Sequence, residues 1–202
     1  MGLDGWIRAN VSGIVLNGGA SVRFGRDKTR ERVGGRSLIE RVLDTLGALF
    51  DEVLVVGRPE AAPAHPAVTE ALPDAVPGVG PLGGICTGLE AMSRPLGFFA
   101  ACDMPWLDAG VIRRQLALVR EGHADAVVPR WDGYWEPLHA AYAVACLPAA
   151  REQLSRRDYR IRSFFAAVRV RFWDIQADGL STRPFTNVNT KSDLAALLEA
   201  DG

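Results

Sequence analysis

Residues 16–28, Leu16-Asn17-Gly18-Gly19-Ala20-Ser21-Val22-Arg23-Phe24-Gly25-Arg26-Asp27-Lys28, are the part of this chain best equipped for chemistry. Glycine has no Cβ, so backbone N–H groups in such a segment can approach phosphate oxygens closely. Arg23, Arg26 and Lys28 follow within a few residues and can offset the charge of a departing pyrophosphate. Together these features suit the grip of a nucleoside triphosphate by its phosphates. The spacing is neither G-x-x-x-x-G-K-[ST] nor G-x-G-x-x-G. Taken alone, the segment also reads as a tight turn bearing solvated cations. The buried strand before it and the cations close behind the turn favour phosphate binding.

Four further places have chemical capacity. Asp103 ends an apolar run and is followed by Met104-Pro105. A carboxylate there can hold Mg²⁺, which prefers hard oxygen ligands, or can cap the turn that follows. Gly78-Val79-Gly80-Pro81-Leu82-Gly83-Gly84 lets backbone approach a flat base or serves as a flexible turn, and Asp74 just upstream can accept hydrogen bonds from a guanine edge. Asn187 and Asn189 share a face if the chain is extended there, or belong to a helix N-terminal turn. Arg160 and Arg162 can grip a second anion or stay solvated. Trp131 and Trp135 offer rings for stacking or for the core.

These groups need a frame. Residues 12–16 and 52–56 read as strands, and Ser37-Leu38-Ile39-Glu40 has the form of a capping box ahead of an amphipathic helix over 37–50. Further on come a helix over 85–92, a strand over 97–102, a helix over 109–120 and a strand over 126–129. Arg130 to Pro137 reads as a loop. A strand over 139–144, a helix over 147–156, a short helix over 162–168 and a strand over 170–173 follow, with a last helix from about 192 to 199. This alternation predicts a three-layer α/β domain with a mostly parallel sheet, whose ligands lie beyond the carboxyl ends of the strands. Residues 12–199 read as one domain, and residues 1–11 as an extension ahead of the first strand.

The bulk numbers exclude several classes. The 202 residues carry a net charge of −1 with cations spread along the chain, so no nucleic-acid footprint shows. No apolar run approaches the roughly 20 residues that cross a bilayer, and the N-terminus lacks the apolar core of a secretory signal. Cys86, Cys102 and Cys146 are far apart, and so are His65, His123 and His139. That argues against zinc or a disulfide framework, for three buried thiols, and for a cytoplasmic setting.

Five stretches occur in order: L-x-G-G-x-x-x-R-x-G-x-D-K, G-P-L-G-G-I, C-D-M-P, E-P-L-H-A-x-Y and F-x-N-V-N-T. Together they resemble the molybdenum cofactor guanylyltransferase family over nearly all of residues 12–199. The resemblance implies a nucleotidyltransferase-like (Rossmann-like) α/β/α domain. It also implies transfer of GMP from Mg-GTP to molybdopterin-bound molybdenum, giving the guanine dinucleotide cofactor and pyrophosphate. Carried over by motif, Leu16, Asn17, Gly18, Gly19 and Lys28 bind GTP, Asp74 the guanosine, and Asp103 the nucleotide's Mg²⁺. Arg23, Lys28 and Asp103 are then the catalytic groups, while Arg160, Asn187 and Asn189 fall on the molybdopterin side. Asn17 stands where the family has a small residue, usually Ala. Gly57 stands where some members place a polar residue near the base, so the reaction type is better supported than the choice of guanine. An acceptor phosphate monoester is already ionised near neutral pH, so no strong general base is required. The partners implied are GTP and the molybdopterin cofactor, with transient contacts to cofactor-delivery or molybdoenzyme-maturation proteins. The nearest alternative is a cytidylyltransferase acting on molybdopterin or another small phosphorylated acceptor. A nucleotide sensor or molybdopterin carrier that releases no pyrophosphate is the alternative of another class.

Overall fold

The computed structural model describes residues 1–18, 32, 33, 35–190, 192 and 193. Residues read as an N-terminal extension form helix α1 (Leu3–Asn10), which buries Ile7 and reaches Asp51 through Arg8 at 2.5 Å. It runs straight into β1 (Val11–Asn17), a strand buried at every position. A small antiparallel pair, β2 (Arg32–Val33) and β3 (Arg36–Ser37), leads to α2 (Leu38–Leu49). The capping box is complete: Ser37 Oγ accepts the Glu40 backbone N–H at 3.4 Å, and the Glu40 carboxylate accepts the Ser37 N–H at 2.6 Å. Next come β4 (Val53–Gly57) and β5 (Glu70–Pro73), the second of which carries no strand signal in the sequence.

Helix α3 (Pro81–Ala91) begins four residues before the expected Ile85, because Pro81 takes the first-turn position where a missing N–H costs nothing. Strand β6 (Leu96–Ala101) and helix α4 (Ala109–Glu121) fall where the periodicity places them. The expected loop over 130–137 is instead a hairpin. Strand β7 (Ala126–Trp131) extends two residues past Pro129 and pairs with β8 (Tyr134–Trp135). The turn between them places Asp132 and Gly133 at φ 46° and 80°, the twist that joins antiparallel strands in two residues. After it come β9 (His139–Ala143), α5 (Leu147–Ser155), a 3₁₀ segment over Ile161–Ala167 and β10 (Val170–Asp174). Ser192 and Asp193 are helical, and the rest of the expected last helix lies outside the described residues.

The main sheet runs β10-β7-β9-β6-β1-β4-β5, with β8 on β7 beyond the end of β9. Strands β6, β1, β4 and β5 are parallel neighbours, as are β7 and β10, while β9 runs antiparallel between β6 and β7. Alternating side chains divide the core between the two faces. Val15, Val55 and Phe98 pack with Ile7, Val42, Leu46 and Ile112 of α1, α2 and α4. Ile14, Leu54 and Phe99 pack with Leu82, Ile85 and Ala150 of α3 and α5. The result is the three-layer α/β/α domain with a mostly parallel sheet. All three cysteines are buried thiols with no disulfide between them.

Candidate functional site

Parallel register brings distant parts of the chain to one rim. Asn17 pairs with Gly57, Gly57 with Pro73, and Leu16 with Ala101. The residues that follow are tied across strands there: Arg58 N–H donates to Asn17 O at 3.2 Å, Asp74 N–H to Gly57 O at 3.3 Å, and Cys102 N–H to Leu16 O at 3.2 Å. Leu16, Asn17 and Gly18 therefore lie at the same sheet end as Asp74 and Asp103. Gly19, Arg23 and Lys28 lie outside the described residues.

Asp74 is half-buried against the start of α3. Its Oδ1 accepts Val76 N–H at 3.0 Å and the Thr87 hydroxyl at 3.3 Å. Among the described residues Oδ2 has no hydrogen-bond partner. The glycines of G-P-L-G-G are spacers for this approach. A Cβ on Gly83 would stand 2.9 Å from Val76 O and 3.0 Å from Asp74 Oδ1, and one on Gly84 would stand 3.0 Å from Leu16 Cδ2. Leu16, Asp74 and the first turn of α3 thus form one wall.

Asn17 is fully buried, with Nδ2 donating to Arg58 O at 3.3 Å and Oδ1 unpartnered among the described residues. Opposite it, Gly57 has φ 131°, and a Cβ would come 2.5 Å from Asn17 O. No polar side chain fits at this position.

Asp103 is half-buried at the centre of the rim, and its carbonyl accepts Val188 N–H at 2.9 Å. Val188 packs on Leu38 and Trp106, so the Asn187–Asn189 stretch crosses the rim beside Asp103. Asn187 Oδ1 is buried there and unpartnered among the described residues. The same stretch opens a helix: Asn189 and Thr190 N–H both donate to Asp193 Oδ2 at 2.7 Å, and Thr190 Oγ1 accepts Asp193 N–H at 3.1 Å. The stretch is thus the helix N-terminal turn of the second reading, and it also lies beside Asp103. Arg160 is exposed and forks onto Asp158 at 2.8 and 2.5 Å, which holds that carboxyl down to about 2. Among the described residues its side-chain hydrogen bonds all go to Asp158. Among the described residues no group of three or more His, Cys, Asp or Glu converges on a metal position.

Glu136 escaped the sequence reading except as a letter in E-P-L-H-A-x-Y. The β6–β9 pairing sets Ala100 opposite His139, and Ala101 N–H donates to Leu138 O at 3.0 Å. Both chains leave the ladder in turns there, and Asp103 lies near enough to Glu136 for the two charges to interact. Burial pushes the Glu136 carboxyl up to about 7, the negative charge of Asp103 adds to the rise, and the Leu138 N–H at 2.9 Å opposes it. His139 is no acid–base candidate. It is fully buried, pushed down to about 4 by burial, and set between Phe98 and Phe185 at 5.0 and 4.5 Å. Burial also pushes the Cys86 and Cys146 thiols up to about 12, which leaves them inert as nucleophiles.

The model of the MobA-like NTP transferase domain matches residues 13–172. A probable molybdenum cofactor guanylyltransferase from Bacillus licheniformis is 35% identical over 188 residues, covering 90% of this chain and 93% of that protein. One of the same name from Bacillus subtilis is 33% identical over 192 residues, covering 92% and 94%. The solved structure of molybdopterin-guanine dinucleotide biosynthesis protein A from Archaeoglobus fulgidus superposes with a TM-score of 0.79 at 26% identity, covering 94% of this chain and 98% of that one. The 2-C-methyl-D-erythritol 4-phosphate cytidylyltransferase of Thermus thermophilus shares the fold, with a TM-score of 0.69 at 18% identity over 93% of this chain and 97% of that one.

Proposed function

The chain belongs to the MobA-like NTP transferase family and is a nucleotidyltransferase, and from that premise we propose that it transfers GMP from Mg-GTP to the molybdenum–molybdopterin cofactor, releasing pyrophosphate. The observation that carries the proposal is the common rim, where Leu16–Gly18, Asp74 and Asp103 meet although they are far apart in sequence.

In this reading Asp74 Oδ2 accepts N–H donors of the guanine, while Gly83 and Gly84 let the base lie close to Leu16. Gly18 and Gly19 present backbone donors to the phosphates, and Arg23 and Lys28 take up the charge of the leaving pyrophosphate. Asp103 fits a Mg²⁺ ligand. It is a half-buried carboxylate at the centre of the rim with no ligand cluster around it among the described residues, which suits a cation that completes its shell with phosphate oxygens and water. When bound, Mg²⁺ would neutralise triphosphate charge. Asn187 and Asn189 orient the acceptor on the far side of Asp103, with Arg160 free to exchange Asp158 for an acceptor anion. The acceptor's ionised phosphate oxygen attacks the α-phosphorus, so alignment and charge stabilisation suffice.

Purified protein given Mg²⁺ and molybdopterin cofactor should release pyrophosphate with GTP. Parallel release with CTP decides between this reading and a cytidylyltransferase. Equal or greater turnover with CTP would overturn the choice of base, and binding of both substrates without pyrophosphate would overturn catalysis.

A further inference from the structure

We propose that Thr87 is the positioning residue of the nucleobase wall, its hydroxyl setting the plane of the Asp74 carboxylate so that the site reads guanine rather than cytosine. The proposal rests on the reading of Asp74 as a base contact given above. Thr87 lies inside α3 and is only 7% exposed. A threonine in a helix interior commonly returns its hydroxyl proton to the carbonyl four residues back, and Thr87 Oγ1 does lie 3.0 Å from Gly83 O. That contact does not use up the group. Its oxygen accepts the Ala75 N–H at 3.0 Å and stands 3.3 Å from Asp74 Oδ1. The hydroxyl has one proton for two acceptors, Gly83 O and Asp74 Oδ1, and rotates between them. One buried side chain thus ties the segment that leaves β5 to the second turn of α3.

The carboxylate has the complementary arrangement. An aspartate carboxyl turns broadly about χ2 unless its oxygens are held. In Asp74 the Oδ1 atom is held by the Val76 N–H at 3.0 Å and by the Thr87 hydroxyl. Val76 belongs to the same segment and moves with it, whereas Thr87 belongs to the helix. The hydroxyl therefore fixes the carboxyl relative to α3. Oδ2 is turned the other way: a Cβ built on Gly84 would stand 3.9 Å from it and 3.0 Å from Leu16 Cδ2. That oxygen lies on the Leu16 side of the helix, where the base is proposed to sit. Guanine presents two adjacent donors, N1–H and its amino group, and their common approach to one carboxylate demands a set plane. Cytosine presents a single amino group, which tolerates rotation. Loss of the Thr87 hydroxyl should therefore cost the guanine nucleotide more than the cytosine nucleotide.

Calorimetric titration of the full chain with Mg-GTP and with Mg-CTP measures this difference. T87V should raise the Kd for Mg-GTP by about 10-fold and that for Mg-CTP by less than about 3-fold, in line with the loss of one hydrogen bond to a charged group. T87S keeps the hydroxyl and should bind Mg-GTP within about 3-fold of wild type. In a D74A background T87V should change the Kd for Mg-GTP by less than about 2-fold, because a residue that acts through Asp74 has nothing left to position. In turnover assays the KM for GTP should rise in T87V while kcat holds, since Asp103 and Lys28 are untouched. An equal loss for the two nucleotides, a loss that persists in D74A, or a T87S no better than T87V would overturn the proposal. Should T87V fail to fold, T87A removes the same hydroxyl and runs the same cycle. Binding of Mg-GTP by D74A as tightly as by wild type would sink the base contact itself. Weak binding by D74A with T87V like wild type would sink only the positioning role.

Discussion

Gly57 shows how a single position constrains the rim. Its φ of 131° and the 2.5 Å between a built Cβ and Asn17 O leave a side chain no room, because the obstacle is backbone in the central strand. Gly57→Ala should cost about 1–3 kcal/mol and lower the melting temperature by about 2–4 °C for each of those. It should also raise the KM for GTP, since Asn17 and Gly18 must shift. An alanine variant that melts and binds like wild type would show that the strand pair yields at no cost. Asp103 and Lys28 belong to a different class of prediction. D103N and K28A should each cut turnover by at least about 10²-fold, the scale of losing one preorganised electrostatic contact. D74A should act mainly on the KM for GTP, because its carboxylate is proposed to touch the base. Steady-state kinetics with each substrate varied in turn separates the two patterns. Asp103 was legible as a carboxylate at a strand end and Asp74 as one just upstream of a Gly-rich stretch, whereas Glu136 was not. Its approach to Asp103 depends on the register of two antiparallel strands, which no local pattern encodes.

At the scale of elements, α4 is fastened to the sheet by a buried polar pair. Gln115 Nε2 donates to Val127 O at 2.9 Å and to His139 O at 3.2 Å, and Gln115 Oε1 lies 3.1 Å from His139 Nδ1. The His139 ring is enclosed by Phe98 of β6 and Phe185, and the charge facing it is Asp108 at the start of α4, which raises its proton affinity less than burial lowers it. Its folded-state value of about 4 lies below the ordinary imidazole value of about 6.5, so between these pH values the unfolded chain binds the extra proton. Stability therefore rises with pH across that window and falls on acidification, by about 3 kcal/mol if no other group compensates. Glu136 works the opposite way, because its carboxyl is held near 7 and the unfolded chain releases that proton first. Urea unfolding of E136Q from pH 4 to 7 should expose the His139 slope more steeply than wild type. A variant flat over that range would contradict the buried neutral imidazole. The elements that sequence missed have physical reasons for silence. Strand β5 is four residues with a proline at its end, and its place is set by pairing with β4. The β7–β8 hairpin turns on Asp132-Gly133, a turn signal masked by polar and aromatic neighbours with no alternation. Helix α2, by contrast, announced itself through its cap and its apolar stripe.

For the whole molecule, the antiparallel strand β9 is what sets the β7–β8 hairpin at the rim of the parallel strands. The parallel strands β5, β4, β1 and β6 bring the nucleotide-side residues to one rim. A parallel successor, returning after a helix, would have brought its carboxyl end and the loop after it to this rim. Strand β9 instead runs back beside β6, so the hairpin that precedes it stands at the same rim as Asp103. A ligand that bridges Asp74 and Asp103 therefore spans β5, β4, β1 and β6, and its binding must stiffen the domain as a unit. Mg-GTP at about 100 times its Kd should stabilise the fold by about 2.7 kcal/mol, which corresponds to a rise of about 5–11 °C in the melting temperature. CTP at the same concentration should give a clearly smaller rise, and chelation of Mg²⁺ should remove most of the GTP effect. D74A should narrow the gap between GTP and CTP, while D103N should lose the Mg²⁺ dependence and keep the gap. Equal shifts with the two nucleotides in wild type would mean that the wall formed by Leu16, Asp74 and α3 does not read the base.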